Sequence, residues 1–105
     1  MRGSTNATSR APLSIGSPIS SVRWIRRGDV VQVMIGGLSV IANGGVSTTV
    51  CTGIPTRSQG GNVNFLISDP SGSDTCLAYV MENGTLKYNS MVTTTGYGTV
   101  TYNIE

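Results

Sequence analysis

The feature that most constrains this chain is a repeated alternation of apolar and polar residues in short runs. In residues 62–68, NVNFLIS, apolar side chains fall on every second position at Val63, Phe65 and Ile67. The closing run 98–104, GTVTYNI, alternates in the same way. Because side chains of an extended strand point alternately to the two faces of a sheet, each run predicts a strand with one buried face. No segment has the period of a helix longer than a turn or two.

Turn residues separate these runs at fairly even spacing. Gly28–Asp29 predicts a hairpin, and Asn83–Gly84 predicts a second one with a type I′ turn, since both residues tolerate a positive φ. Gly36–Gly37 interrupts a long run and predicts a bulge or sharp bend. The pattern predicts an all-β fold, an antiparallel barrel or sandwich of about seven short strands with a jelly-roll-like form.

The chain divides into a leader and one domain. Residues 1–4, MRGS, look like an expression-vector remnant, and residues 5–20 have the Ser, Thr, Pro and Ala content of a linker or neck, with at most one short edge strand near Leu13 to Ile15. Residues 21–105 are the predicted β-domain. A domain of this size leaves much of its surface exposed, so burial in an oligomer interface would add stability.

Composition argues against several classes of function. Charged residues make up 11% of the chain, the formal net charge is +2, and histidine is absent. We find no basic stripe interleaved with aromatic residues, so no nucleic-acid partner is expected, and no apolar run or leader pattern predicts a membrane span or a signal peptide. Without histidine the commonest general base is missing, and most of the five acids lie in predicted turns. We therefore expect neither an enzyme nor a cofactor.

The two cysteines, Cys51 and Cys76, have no histidine or Cys-x-x-Cys spacing around them, which argues against a zinc site. The favoured interpretation is that both are core residues. A disulfide between neighbouring strands is the alternative.

The only tryptophan lies in a cluster of arginines. A lone Trp in a small β-domain is more often a core residue, but an indole offers an apolar face to a sugar ring, and guanidinium groups bind hydroxyl or phosphate oxygens. This cluster is the best candidate for binding an anionic glycan. Strand tyrosines have the same two interpretations, as packing pairs or as ligands. On chemistry alone, the candidate saccharide ligands are Trp24, Arg23, Arg26, Arg57, Asp69, Asp74 and Tyr88.

Five segments follow one another along residues 22–105: GDVVQVMIGGLSVIANGG, TGIP, NFLISDPSGS, YVMENGTLKY and GYGTVTYNIE. In their order, and over about four fifths of the chain, they resemble the C-terminal head domains of receptor-binding proteins from tailed phages of Gram-positive bacteria, such as the lactococcal ones. The likeness is one of pattern and length. It involves no single diagnostic motif.

The resemblance implies a compact β-barrel head that forms a homotrimer and recognises saccharide on the host cell wall during adsorption. The N-terminal side would lead through a neck to other baseplate or tail proteins, in a virion component assembled in the bacterial cytoplasm. Pockets of that family commonly include a histidine, which this chain lacks. Binding residues are therefore not carried over position by position.

Two other classes fit the same sequence. One is a monomeric carbohydrate-binding or adhesin module of a bacterial surface protein, which the oligomeric state would distinguish. The other is a structural virion or tail-fibre domain that forms trimers without binding glycan.

Overall fold

A computed structural model describes residues 13–56 and 61–104. Within these ranges the chain has no helix, and eight antiparallel strands form one sheet that nearly closes into a barrel. The predicted all-β antiparallel fold is confirmed, with one strand more than the approximate number expected. The strands are β1 (Leu13–Ile19), β2 (Val22–Arg27), β3 (Val30–Val40), β4 (Thr48–Cys51), β5 (Val63–Ser68), β6 (Thr75–Val80), β7 (Leu86–Asn89) and β8 (Thr94–Asn103).

Two three-stranded meanders make up most of the sheet, and the C-terminal strand joins them. The spatial order is β1-β2-β3-β8-β5-β6-β7-β4, so β8 lies between the two meanders. β4 lies beyond β7 at the far end of the order. The two edges of the sheet are therefore β1 and β4.

The edge strand predicted within the leader is confirmed and is longer than expected. β1 pairs regularly with β2 from Leu13 to Gly16, and the register then shifts before Ile19. Pro18 lies in the irregular part, where a missing N–H costs no ladder hydrogen bond. The sheet therefore includes part of the predicted linker, from Leu13 onward. Residues 1–4 and the first part of the predicted linker lie outside the described residues.

Apolar side chains on the inner face of the sheet form one core. Residues that pair across strands share a face, and the inner-face positions of β3, β6 and β7, together with Ile67 of β5, are almost fully buried. Burial of apolar surface of this kind is the main stabilising term in folding, at roughly 25 cal/mol per Å². The most deeply buried side chains include Val22, Val31, Val33, Val40, Ile67, Val80 and Leu86, each at most 1% exposed.

The β6–β7 hairpin is confirmed, but its turn type is not the predicted one. The Met81 N–H donates to the Thr85 carbonyl over 2.8 Å, and the Gly84 N–H donates to the Met81 carbonyl over 3.0 Å. Gly84 has a φ of 86°, whereas Asn83 does not have a positive φ. A type I′ turn needs positive φ at both central residues, so this is a longer loop that ends in a left-handed glycine.

The bulge predicted at Gly36–Gly37 is confirmed. The register of β3 against β8 shifts between Gly36 and Leu38, and Gly37 has a φ of 75°. A glycine accepts this conformation at little cost because it has no Cβ.

We expect Gly98→Ala to lower the free energy of unfolding by about 1–3 kcal/mol, the usual cost of overpacking. A Cβ at Gly98 would lie 2.8 Å from both the Leu66 carbonyl oxygen and the Ile67 Cγ2 atom. Backbone of a paired strand cannot move aside freely. Urea denaturation measures the change. Gly36→Ala is the control because its Cβ would have nothing within 4 Å; equal losses in the two variants would contradict the crowding argument.

Candidate functional site

The arginines of β2 do not share one surface. Trp24 packs against the core, so Arg26, two residues further along the strand, lies on the same inner side. Arg23 and Arg27 lie on the outer face. The structure therefore brings Trp24 and Arg26 together and separates Arg23 from them.

Trp24 is a partly buried core residue. It is the register partner of Gly16 in β1, and its indole lies over that glycine so closely that an added Cβ would overlap the ring. This contact gives a physical reason for glycine inside β1, where a side chain is otherwise favoured. Trp24 and Arg26 are two residues apart on β2, so they are neighbours on its inner face.

Beyond Trp24, the inner face opens into a cleft at the end of the β2–β3 hairpin. The cleft has a volume of about 390 Å³, is open to solvent, and is lined by Ser14, Arg26, Gly28 and Asp29. The pairing of Ser14 with Arg26 places the serine beside the arginine across β1 and β2. Small-molecule sites commonly have volumes of about 300–1,000 Å³. We refer to these four residues as the hairpin cleft.

A tight turn fixes the geometry of the hairpin cleft. Gly28 has a φ of 58°, and Asp29 does not have a positive φ, the pattern of a type II′ hairpin turn. The Arg26 Nε atom donates to the Gly28 carbonyl over 2.8 Å, and the Ile104 N–H donates to the Asp29 carbonyl over 2.8 Å. Within the described ranges, the terminal guanidinium nitrogens of Arg26 and the Asp29 carboxylate make no hydrogen bond or ion pair. These groups are therefore free to bind a ligand.

The two predicted acidic ligands belong to the β5–β6 turn. Asp69 accepts hydrogen bonds from the Asp74 N–H over 3.2 Å and from the Ser71 and Ser73 hydroxyls over 2.9 and 3.1 Å. The backbone hydrogen bond from Asp74 is the largest cause that holds the pKa of Asp69 below its ordinary value of 3.8. β3 and β8 lie between β2 and β5, so the structure does not bring these acids to the hairpin cleft.

Tyr88 is a core residue, which corrects its prediction as a saccharide ligand. Its side chain is 4% exposed, and its hydroxyl accepts a hydrogen bond from the Ile41 N–H over 3.0 Å and donates to the Ile41 carbonyl over 3.4 Å. Its ring therefore has no open face for a sugar. Arg57, the remaining candidate, lies outside the described residues.

Both cysteines are free and buried, and burial raises the pKa of each thiol. Cys51 lies on β4 and Cys76 on β6, with β7 between them. The disulfide alternative is therefore not formed in this structure, and the interpretation as core residues is the one that burial supports. A raised thiol pKa also keeps these side chains in their less reactive, protonated form.

Sequence reasoning missed Ser14 and Asp29 as members of one site. Asp29 was explained by the hairpin turn alone, and Ser14 lay in the predicted linker. The pairing of Ser14 with Arg26 depends on the β1–β2 turn at Ser20–Ser21, which has neither glycine nor asparagine to reveal it. The signal available in the sequence was Trp24, because a packed indole needs an apolar partner. A search for that partner on a preceding strand was the way to find β1.

Comparison with protein-family models, with curated proteins and with solved structures finds no match for this chain. In residues 13–56 and 61–104, no helix is long and apolar enough to span a membrane. The same ranges contain no group of three or more His, Cys, Asp or Glu side chains that could hold a metal ion. The chemistry of the hairpin cleft is therefore argued from its own residues.

We expect Tyr88→Phe to lower the free energy of unfolding by about 1–2 kcal/mol. Loss of the hydroxyl removes the hydrogen bonds to the backbone of Ile41. Tyr97→Phe is the control, because Tyr97 is 44% exposed and its hydroxyl makes no hydrogen bond in the described part of the chain. Urea denaturation measures stability. A free energy of unfolding equal to that of the Tyr97→Phe control would contradict the assignment of Tyr88 to the core.

Asp69→Asn should remove a stabilising contribution that depends on pH. Because the pKa of Asp69 is lower in the folded state, its carboxylate stabilises the fold above the unfolded pKa, and this contribution is lost as pH falls through the folded pKa. The difference in melting temperature between wild type and variant should be full near neutral pH and shrink below about pH 4. Thermal melts across this range measure it, and a difference that does not change with pH would contradict the prediction.

Proposed function

We propose that this chain is the receptor-binding head domain of a phage tail or baseplate, which binds saccharide on the cell wall of a Gram-positive host. The observation that carries the proposal is the hairpin cleft, where guanidinium, carboxylate and hydroxyl groups converge beside an indole. Arg26, Asp29 and Ser14 supply the polar groups, and Trp24 lies one step away on the same face. Trp24 and Arg26 were predicted as ligands from the sequence, whereas Asp29 and Ser14 were not.

The polar groups of the cleft match the hydrogen-bonding needs of a sugar. Saccharide hydroxyls both donate and accept, the guanidinium of Arg26 donates, the carboxylate of Asp29 accepts, and the serine hydroxyl does either. Charge-assisted hydrogen bonds of this kind are stronger than neutral ones. The terminal nitrogens of Arg26 also suit an anionic substituent such as a phosphate ester on the glycan.

The proposal is for binding without catalysis. Among the described residues that line the hairpin cleft, Asp29 is the one carboxylate, whereas most glycosidases use two carboxyl groups flanking the scissile bond. A shallow site with a few polar contacts would bind with millimolar to micromolar affinity, and several heads on one particle would strengthen attachment by avidity.

The proposal includes a homotrimer that joins other baseplate or tail proteins through its N-terminal side. Support comes from the outer face of the sheet, where Leu13, Ile15 and Leu66 are 52%, 54% and 65% exposed. Burial of such side chains between copies would add the stability that a small barrel lacks.

The decisive test compares Arg26→Ala with Arg23→Ala. Each variant removes one arginine from an exposed position on the same strand, but only Arg26 lines the cleft. Chemical-shift titration with purified Gram-positive cell-wall polysaccharides, N-acetylglucosamine and glycerol phosphate would identify a ligand of the wild-type protein. We expect Arg26→Ala to weaken its binding by about tenfold or more, since a hydrogen bond to a charged group contributes about 1.5–3 kcal/mol. Arg23→Ala should bind as wild type does.

Two results would contradict this assignment. Failure of the wild-type protein to bind any member of the panel would count against the receptor-binding function. Equal weakening in the two arginine variants would show that binding responds to overall charge, with no specific role for the hairpin cleft.

A further inference from the structure

Two apolar pairs lie on the outer face of the sheet, on different meanders. Ile15 pairs with Ile25 across β1 and β2, and Leu66 pairs with Leu77 across β5 and β6. Ile15 is 54% exposed, and Leu66 and Leu77 are 65% and 38% exposed. Single exposed aliphatic residues are ordinary, but opposed pairs on neighbouring strands form patches, which commonly mark interaction sites. Neither pair takes part in the core or the hairpin cleft.

Each apolar pair has charged residues of one sign beside it. Arg23 and Arg27 flank Ile25 along the outer face of β2, and no acidic residue lies on β1 or β2. We call the first surface the basic face; it consists of Leu13, Ile15, Arg23, Ile25 and Arg27.

The second surface has the opposite charge. Asp69 and Asp74 lie in the turn between β5 and β6, at one end of the leucine pair. Lys87, the one base in residues 61–104, is paired with Tyr79, which lies beyond Leu77 on the side away from this turn. We call the second surface the acidic face; it consists of Leu66, Leu77, Asp69 and Asp74.

The charge of the chain is divided in the same way. Residues 13–56 contain three arginines and one aspartate, for a formal charge of +2, and residues 61–104 contain three acids and one lysine, for a formal charge of −2. The two described ranges are therefore opposite in charge, and each has an outer-face apolar pair with at least one exposed side chain.

We propose that the basic face of one copy of this chain binds the acidic face of the next copy. The isoleucine pair would pack on the leucine pair, with the arginines toward the aspartates. Because the two faces are different surfaces, the contact is heterologous, and successive contacts form a closed ring if their rotation allows it. This inference rests on the homotrimer of the proposed function and names the surfaces that form it.

Electrostatics favours this arrangement over the contact of like faces. Two basic faces in contact would bring Arg23 and Arg27 of both copies together, and like charges juxtaposed across an interface are costly. The heterologous contact places opposite charges at its rim. Such rim charges fix orientation and speed association, while burial of the aliphatic pairs supplies most of the affinity.

A mixing experiment tests the heterologous contact. Ile15→Glu disables the basic face, because its carboxylate would meet the aspartates of the next copy, and leaves the acidic face intact. Leu66→Glu does the reverse, because it places a charge against the isoleucine pair; both side chains are mostly exposed, so the fold should tolerate the changes. Light scattering at micromolar concentration measures the mass. We expect wild type at three times the chain mass of 10.9 kDa. Each variant alone should have the mass of one chain, and an equimolar mixture should have the mass of two, because each variant contributes one intact face.

Met91→Glu is the matched control. Met91 is 75% exposed, lies between β7 and β8, and belongs to neither face, so this variant should keep the wild-type mass. Circular dichroism establishes that each variant is folded. If either variant fails to fold, Leu13→Glu and Leu77→Glu replace the pair, on the same two faces.

The outcomes separate the two proposals. A monomeric wild type would overturn both this inference and the homotrimer, and saccharide binding would still be decided by the arginine variants. A wild-type trimer that survives either face substitution would overturn the assignment of these faces while the trimer stands. Monomeric variants that fail to combine on mixing would also overturn the heterologous contact.

Discussion

The fold depends on the placement of the last strand in the middle of the sheet. β8 pairs with β3 from Asn103 to Thr94 and with β5 at Tyr97. Gly96 and Gly98 face the core beside Ile67, where a Cβ at either glycine would be crowded by that side chain. A three-stranded meander has only one face to bury and cannot enclose a core alone. The two meanders therefore share a core only after the C-terminal strand has joined them.

The hairpin cleft follows from the incomplete closure of the barrel. β1 is an edge strand, so among the described residues no further strand pairs with it beside Ser14 and Arg26. The indole of Trp24 fills the space over Gly16 and marks where the packed core ends. Polar groups can occupy the inner face beyond that point because they remain in contact with solvent. The position of the cleft is thus a property of the whole sheet, which the local sequence around Arg26 does not reveal.

The sequence was most informative where one face of a strand is fully buried. The strict alternation in β5 and β8 predicted strands and their inward residues, and the glycines of the β2–β3 turn and the β3 bulge predicted chain reversals and bends. The turn at Asn83 was predicted with the wrong geometry because the hydrogen bond between Met81 and Thr85 sets the loop length, and this pairing is fixed by the sheet. Local propensity at Asn83–Gly84 does not contain that information.

The candidate site was predicted only in part. Alternation fixes which side chains share a face, but long-range packing decides which face is the inner one. Tyr88 shares a face of β7 with Leu86, but its burial and the partner of its hydroxyl depend on the Ile41 backbone, which is distant in sequence. Asp69 has a side chain suited to bind a ligand, but its carboxylate accepts hydrogen bonds from Ser71 and Ser73 within the β5–β6 turn.

Alternation also explains how one basic strand can serve two surfaces. Arg26 and Arg27 are adjacent, so their side chains must lie on opposite faces of β2. Arg26 faces the cleft, whereas Arg27 and Arg23 lie on the outer surface proposed for assembly. A run of basic residues on a helix would spread around its circumference, but on a strand it divides cleanly between two sides. The proposed ligand binding and the proposed subunit contact should therefore be separable by single substitutions a few residues apart on the same strand.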